Sequence, residues 1–175
     1  MDRAELARRI ADASLLRGTF TLRSGRTSSY YLDKYLFSTQ PAILAELGRM
    51  FAARLPAGTQ RLAGAELGGI PLVSSASMAS GLPCLFVRNA KKDYGTAKQL
   101  EGKLEKGDRV TIVEDVATTG GQALEAAKVL RDGGAEVLAI IATIDRLEGA
   151  RENIEKEGIR FDALFTVKDL GVTTG

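Results

Sequence analysis

The segment Val110-Thr-Ile-Val-Glu-Asp-Val-Ala-Thr-Thr-Gly-Gly-Gln122 sets an acidic pair, a hydroxyl pair and a glycine pair in order along one short stretch. Val110, Ile112 and Val113 form an apolar β-branched run, as expected of a parallel strand covered on both faces. Glu114 and Asp115 stop that strand with charges that a core does not accept unpaired. Thr118, Thr119, Gly120 and Gly121 then offer hydroxyls and closely spaced backbone N–H groups. From Gln122 to Arg131 the spacing predicts a helix, with Leu124, Ala127 and Leu130 on one side. A helix N-terminus carries unpaired N–H groups and partial positive charge, so the loop suits a phosphate. Carboxylates just upstream suit ribose hydroxyls or a hydrated divalent cation. Glycine-rich turns also join strands to helices without any function, but four features in order favour a ribose 5-phosphate site. The loop is neither a Walker loop nor a G-x-G-x-x-G fingerprint, since both sequences are absent.

The chain contains no histidine. That excludes Ser-His and Cys-His nucleophilic sites, His-ligated zinc and imidazole bases. Chemistry must therefore run on carboxylates, Lys, Arg, backbone dipoles and a borrowed metal. Cys84 is the single cysteine, set between Pro83 and Leu85, and reads as a small core residue. A formal charge of +2 without a basic block argues against nucleic-acid binding. No run is apolar for long enough to span a membrane, and Asp2, Arg3 and Glu5 do not suit a signal peptide, so a cytoplasmic location is expected.

The positioning elements follow from periodicity. Apolar Leu6, Ile10, Ala13 and Leu16 predict an amphipathic helix from Ala4 to Leu16, ended by Gly18. Phe20 to Leu22 and Tyr30 to Leu32 flank the turn-prone Ser24-Gly25-Arg26-Thr27 and suggest a hairpin. Pro41 to Leu55 reads as a helix. Leu62 to Ala65 reads as a strand, followed by a Glu66-Leu67-Gly68-Gly69 turn and a helix from about Pro71 to Ala79. Leu82 to Val87 is the next strand. Arg88 to Asp108 is polar, basic and without period, a loop of the length that functional lids have. Beyond the central motif come a strand from Glu136 to Ile144, an exposed helix from Gly149 to Glu157 and a strand from Phe161 to Val167. Alternating strands and helices in 175 residues imply one α/β domain with a mostly parallel central sheet flanked by helices.

The Val110–Gln122 stretch resembles the 5-phosphoribosyl 1-diphosphate (PRPP) motif of the type I phosphoribosyltransferases, specifically those that use orotate. Phe20-Thr-Leu-Arg-Ser-Gly-Arg-Thr-Ser-Ser-Tyr-Tyr-Leu-Asp33 is similar to their base-binding hairpin. Arg88 through Gly95, with Lys92 inside, is similar to their basic mobile loop, and Ile144-Asp-Arg146 to their late strand-end motif. The likeness runs from about residue 15 to Leu170. It implies the type I phosphoribosyltransferase fold over residues 1–175, with a small N-terminal hood from about 1–40 and a flexible lid loop at about 88–108.

The resemblance also implies a reaction and a site. PRPP and orotate would give orotidine 5'-monophosphate and diphosphate, the base-attaching step of pyrimidine synthesis, with Mg2+ held mainly through PRPP and no direct protein ligands. PRPP would be bound by Arg88, Lys92, Glu114, Asp115, Val116, Ala117, Thr118, Thr119, Gly120, Gly121 and Gln122. Lys92, Glu114 and Asp115 would carry the catalysis: the acids hold the ribose hydroxyls and offset positive charge on the sugar, while the lid lysine meets the departing diphosphate. Orotate would be bound by Thr118, Arg146, Arg23, Tyr30 and Tyr31, with one tyrosine beside the base and the other facing the core. An exposed Asp145–Arg146 pair is the plain alternative for the late motif, and solubilising surface lysines for the lid. Arg23 stands where many relatives carry lysine. Asn89, Tyr94 and Gly68 replace two lysines and a histidine, so PRPP binding is either weaker or compensated by Lys91, Arg26 or Lys34. A homodimer is implied. Rival readings are a purine-base phosphoribosyltransferase and a non-catalytic PRPP-sensing regulator of the same fold.

Overall fold

The computed structural model describes residues 1–21, 25, 27–88 and 99–173. A six-stranded sheet carries the site, in the order β5-β4-β3-β6-β7-β8. Its strands are β3 (Arg61–Ala65), β4 (Cys84–Val87), β5 (Leu100–Glu101), β6 (Arg109–Ala117), β7 (Glu136–Asp145) and β8 (Arg160–Thr166). All pairings are parallel except β4 with β5. The expected type I phosphoribosyltransferase architecture, a mostly parallel sheet flanked by helices, is the observed one.

Helices α3 (Pro41–Arg54) and α4 (Glu66–Ser80) cover one face, and α5 (Gly121–Asp132) and α6 (Ala150–Lys156) the other. Ile43, Leu47, Phe51 and Leu72 pack with Leu62, Val113 and Ile141 on the first face. Ala123, Ala127, Leu130 and Ile154 pack with Ile112, Ile140 and Phe161 on the second. Both faces bury apolar side chains, which is why the central strands are nearly continuous in Val, Ile and Ala.

From β3 the chain runs through α4 to β4 on one side, then returns to β6 on the other side of β3. The strand order therefore reverses between β3 and β6. In such sheets the crevice at the carboxyl ends of the two diverging strands is the binding position. The first turns of α4 and α5 flank it on opposite faces.

The N-terminal part forms a small layer beside the sheet. Helix α1 (Arg3–Ser14), the antiparallel pair β1 (Leu15–Thr21) and β2 (Thr27–Leu32), and the short α2 (Lys34–Ser38) compose it. Asp2 caps α1 by accepting from Glu5 N–H at 2.7 Å. Leu6, Ile10 and Phe37 reach the main core and are fully buried. Arg3 ties the layer to the end of the chain through both oxygens of Asp169, each at 3.0 Å.

Several boundaries differ from those that periodicity predicts. The first helix stops at Ser14, and Leu15 and Leu16 belong to β1, whose pairing with β2 includes Leu15–Leu32 and Leu16–Tyr31. Gly18 lies inside that strand rather than ending the helix. Helix α4 begins at Glu66, so the expected glycine turn is its first turn, and Pro71 lies within the helix instead of starting it. The stretch 88–108 is not wholly loop: β5 pairs with β4, and Arg88 N–H donates to Gln99 O at 2.7 Å. Segment 89–98, with Lys92 and much of the lid expected at about 88–108, lies outside the described residues.

Candidate active site

Strand β6 continues past the point where β3 gives way to α4, because β7 goes on pairing with it as far as Ala117–Asp145. Glu114 and Asp115 consequently lie inside a strand rather than terminating one. Both are buried, at 4% and 2% exposure. Glu114 lines a cavity of about 170 Å³ together with every residue from Val116 to Ala123, whereas Asp115 meets Lys34 and Gly68.

The cavity is the turn from β6 into α5. Gly120 is the N-cap, with φ 83°, a left-handed conformation that side chains rarely take. A Cβ there would also come within 2.9 Å of Ile154. The cap provides no side-chain hydrogen bond, so the amides of Gly121, Gln122 and Ala123 border the cavity without a capping oxygen. Thr119 O is taken up by Asn153 Nδ2 of α6 at 2.9 Å. The wall thus presents amides and hydroxyls while one loop carbonyl is occupied elsewhere, an arrangement suited to phosphate oxygens.

The two acids share a low-dielectric space. Asp115 N–H donates to Glu114 Oε1 at 2.9 Å, and Val116 N–H to Asp115 Oδ1 at 2.5 Å. Lys34 Nζ sits 2.7 Å from Asp115 Oδ2. Burial first, and the neighbouring Asp115 charge second, push the Glu114 carboxyl well above its ordinary range. Burial alone would lower the Lys34 ammonium, but the Asp115 charge and hydrogen bond outweigh it and raise its pKa.

The raised Glu114 has a consequence for stability. Its folded pKa exceeds its unfolded one, so the folded state holds a proton that the unfolded chain releases above about pH 4.5. Stability from this group is complete below that pH and is lost as pH rises through the folded pKa. Glu114→Gln should flatten that fall, gaining relative to the unsubstituted protein by up to about 1.4 kcal/mol per pH unit within the titration window. Thermal unfolding from pH 4.5 to 8 checks it, and parallel curves for the two proteins would refute it.

Arg146 follows β7 directly and is held beside the same loop. Its N–H donates to Ala117 O at 3.0 Å. Asp145, buried at 5% exposure, accepts Leu147 N–H at 2.8 Å and supports Leu147 at φ 61°. The exposed Asp145–Arg146 pair is therefore not formed. Instead Arg146 Nε donates to Glu148 Oε1 at 2.9 Å, and the guanidinium lies over Tyr30, 4.8 Å from the ring centroid. Burial raises the Tyr30 pKa despite the opposing Arg146 charge.

Tyr30 is thus joined to Arg146, while Tyr31 packs against Phe20 with ring centroids 5.8 Å apart. Tyr31 is 45% exposed, whereas Tyr30 packs against the buried core. Thr118, next to the Ala117 that holds Arg146, is half-buried at the cavity and begins the phosphate wall. Arg88 lines a larger and separate cavity of about 600 Å³ between the β4–β5 pair and α5. Its Nε is 3.4 Å from Glu101 Oε1. Arg23, Arg26, Lys91 and Lys92 lie outside the described residues, as do Asn89 and Tyr94. Lys34, Glu148 and Asn153 join the site through contacts that no local spacing announces.

The sequence model of the phosphoribosyl transferase domain matches residues 38–168. Among curated relatives, an orotate phosphoribosyltransferase of Methanocella arvoryzae is 48% identical over 153 residues, covering 87% of each chain. A crystal structure of orotate phosphoribosyltransferase from Mycobacterium tuberculosis with Fe(III) dicitrate superposes with a TM-score of 0.86 at 35% identity, covering 98% of this chain and all of that one. The same enzyme in complex with PRPP superposes at 0.80 with 34% identity, covering 98% of this chain and 100% of that one. Among the described residues, no helix is long and apolar enough to cross a membrane.

Proposed function

Since the chain belongs to the phosphoribosyltransferase family, we infer that it is an orotate phosphoribosyltransferase, transferring the 5-phosphoribosyl group of PRPP to orotate with release of diphosphate. The observation that carries this reading is the bond from Arg146 N–H to Ala117 O. This backbone bond sets Arg146, whose guanidinium is suited to an anion, beside a phosphate-shaped turn, so one cleft can hold both a ribose phosphate and a planar base bearing a carboxylate.

In this reading the 5-phosphate rests on Thr118, Thr119, Gly120, Gly121 and Gln122, and Val116 and Ala117 line the approach. Glu114 and Asp115 hold the ribose hydroxyls. As the C1–O bond to diphosphate breaks, positive charge grows on the sugar ring, and a carboxylate in a dry site stabilises it strongly. Arg146 and Tyr30 orient orotate, with Thr118, Tyr31 and Arg23 completing the base site. Arg88 and Lys92 bind the departing diphosphate, and closure of the lid over the reacting centre excludes water that would otherwise hydrolyse the activated sugar.

Mg2+ suits this donor set as a companion of PRPP. The buried carboxylates Glu114 and Asp115 beside the phosphate turn suit a hydrated divalent cation. Such a cation would enter with PRPP and would supply positive charge that neutralises the diphosphate. A homodimer, in which a partner's lid residues complete each cleft, belongs to the same proposal.

Loss of orotate absorbance in the presence of PRPP and Mg2+ tests the function. Turnover is expected with orotate and not with adenine, hypoxanthine or uracil. Preferential use of a purine, or PRPP binding without turnover of any base, would replace this reading by one of its rivals.

A further inference from the structure

Lys34 lies outside residues 38–168, the part of the chain that the domain's sequence model matches. Its ammonium nevertheless reaches the buried acid of β6 next to the phosphate turn, 2.7 Å from Asp115 Oδ2. Its root is fixed on both sides. Asp33 N–H donates to Ser14 O at 2.9 Å, Asp33 Oδ1 accepts Tyr35 N–H at 3.1 Å, and Phe37 is anchored in the core.

The space for this ion pair is made by a missing side chain. A Cβ on Gly68, in the first turn of α4, would lie 1.6 Å from Asp115 Oδ2 and 3.1 Å from Lys34 Nζ. Only glycine at this place lets the carboxylate and the ammonium meet. The other Asp115 oxygen is fixed by Val116 N–H. A carboxylate oxygen can accept more than one hydrogen bond, so a carboxylate held in this way can still receive a hydroxyl.

We propose that Lys34 is a positioning residue of the PRPP site, fixing the Asp115 carboxylate for a ribose hydroxyl so that the N-terminal layer sets PRPP affinity. The inference rests on the orotate phosphoribosyltransferase reading. A purely structural ion pair would stabilise the fold without distinguishing the two substrates. A positioning residue acts on PRPP alone.

Initial rates for Lys34→Gln and Lys34→Arg, with each substrate varied at saturation of the other, separate these roles when combined with thermal unfolding. Lys34→Gln should raise KM for PRPP about tenfold, in keeping with the loss of one charge-assisted hydrogen bond. KM for orotate should stay within about twofold, and Lys34→Arg should restore much of the PRPP affinity. An unchanged KM for PRPP, or equal changes for both substrates in step with a lowered Tm, would overturn the proposal. Should Lys34→Gln fail to fold, Gly68→Ala displaces the same pair from the opposite side. It should produce the same PRPP-selective rise, and no rise would overturn the proposal. Lack of turnover by the unsubstituted protein would instead overturn the functional reading. Calorimetric titration of PRPP into the folded Lys34→Gln protein would then still decide whether Lys34 acts on that ligand.

Discussion

Arg146→Ala is expected to lower kcat/KM for orotate by about 10²- to 10³-fold, the range for removing one member of a buried, hydrogen-bonded charge pair. The size follows from how firmly the side chain is held. Arg146 is tethered at its backbone to Ala117, through Nε to Glu148, and across its guanidinium face to Tyr30. A guanidinium has five N–H donors in a planar fork, so a ligand carboxylate can join without dismantling these contacts. Alanine leaves that carboxylate desolvated and unpaired, whereas the phosphate wall from Thr118 to Gln122 stays intact. KM for PRPP should therefore move by less than about twofold. Steady-state rates with each substrate varied would show the split. Equal losses on both substrates would mean that Arg146 supports the loop and not the base. Glu148→Gln should repeat the effect in weaker form, since it loosens the arginine without removing it.

Contiguous features of the site were legible in the residues, and contacts between distant segments were not. Strand, acids, small-residue loop and helix all lie within Val110–Gln122, and each has its own local pattern. Their order in the chain is their order in space. The position of Glu114 and Asp115 inside β6 was not legible, because pairing with β7 extends the strand beyond its apolar run. Tertiary pairing likewise drew Leu15 and Leu16 from helix into strand. Helix α4 started early because Leu67, Gly68 and Gly69 form its first turn after Glu66, held at φ 56°. Glycine there signals close approach by Asp115, not the loop that its composition suggests. Helix α2 is too short to have a period. Lys34 in it gains a role only from a carboxylate on β6, and no spacing rule links the two.

Asp115→Asn should reduce kcat/KM for PRPP by about 10²- to 10³-fold, the loss seen when one preorganised electrostatic partner of a developing charge is removed. The amide keeps the size of the side chain and its space above Gly68. It loses the charge that draws Lys34 Nζ to 2.7 Å and that would offset positive charge on the ribose ring. KM for orotate should change little, because Arg146 hangs from Ala117 and not from the acidic pair. The sharper result lies in combining the substitution with Lys34→Gln. Residues that act through one another give non-additive losses, with coupling of about 0.5–3 kcal/mol. If Lys34 works by fixing Asp115, then Lys34→Gln should cost almost nothing once Asp115 is already asparagine. Measuring kcat/KM for PRPP in the four proteins completes the cycle. Additive losses would give the ammonium a separate hold on PRPP, and would detach the N-terminal layer from the ribose carboxylate.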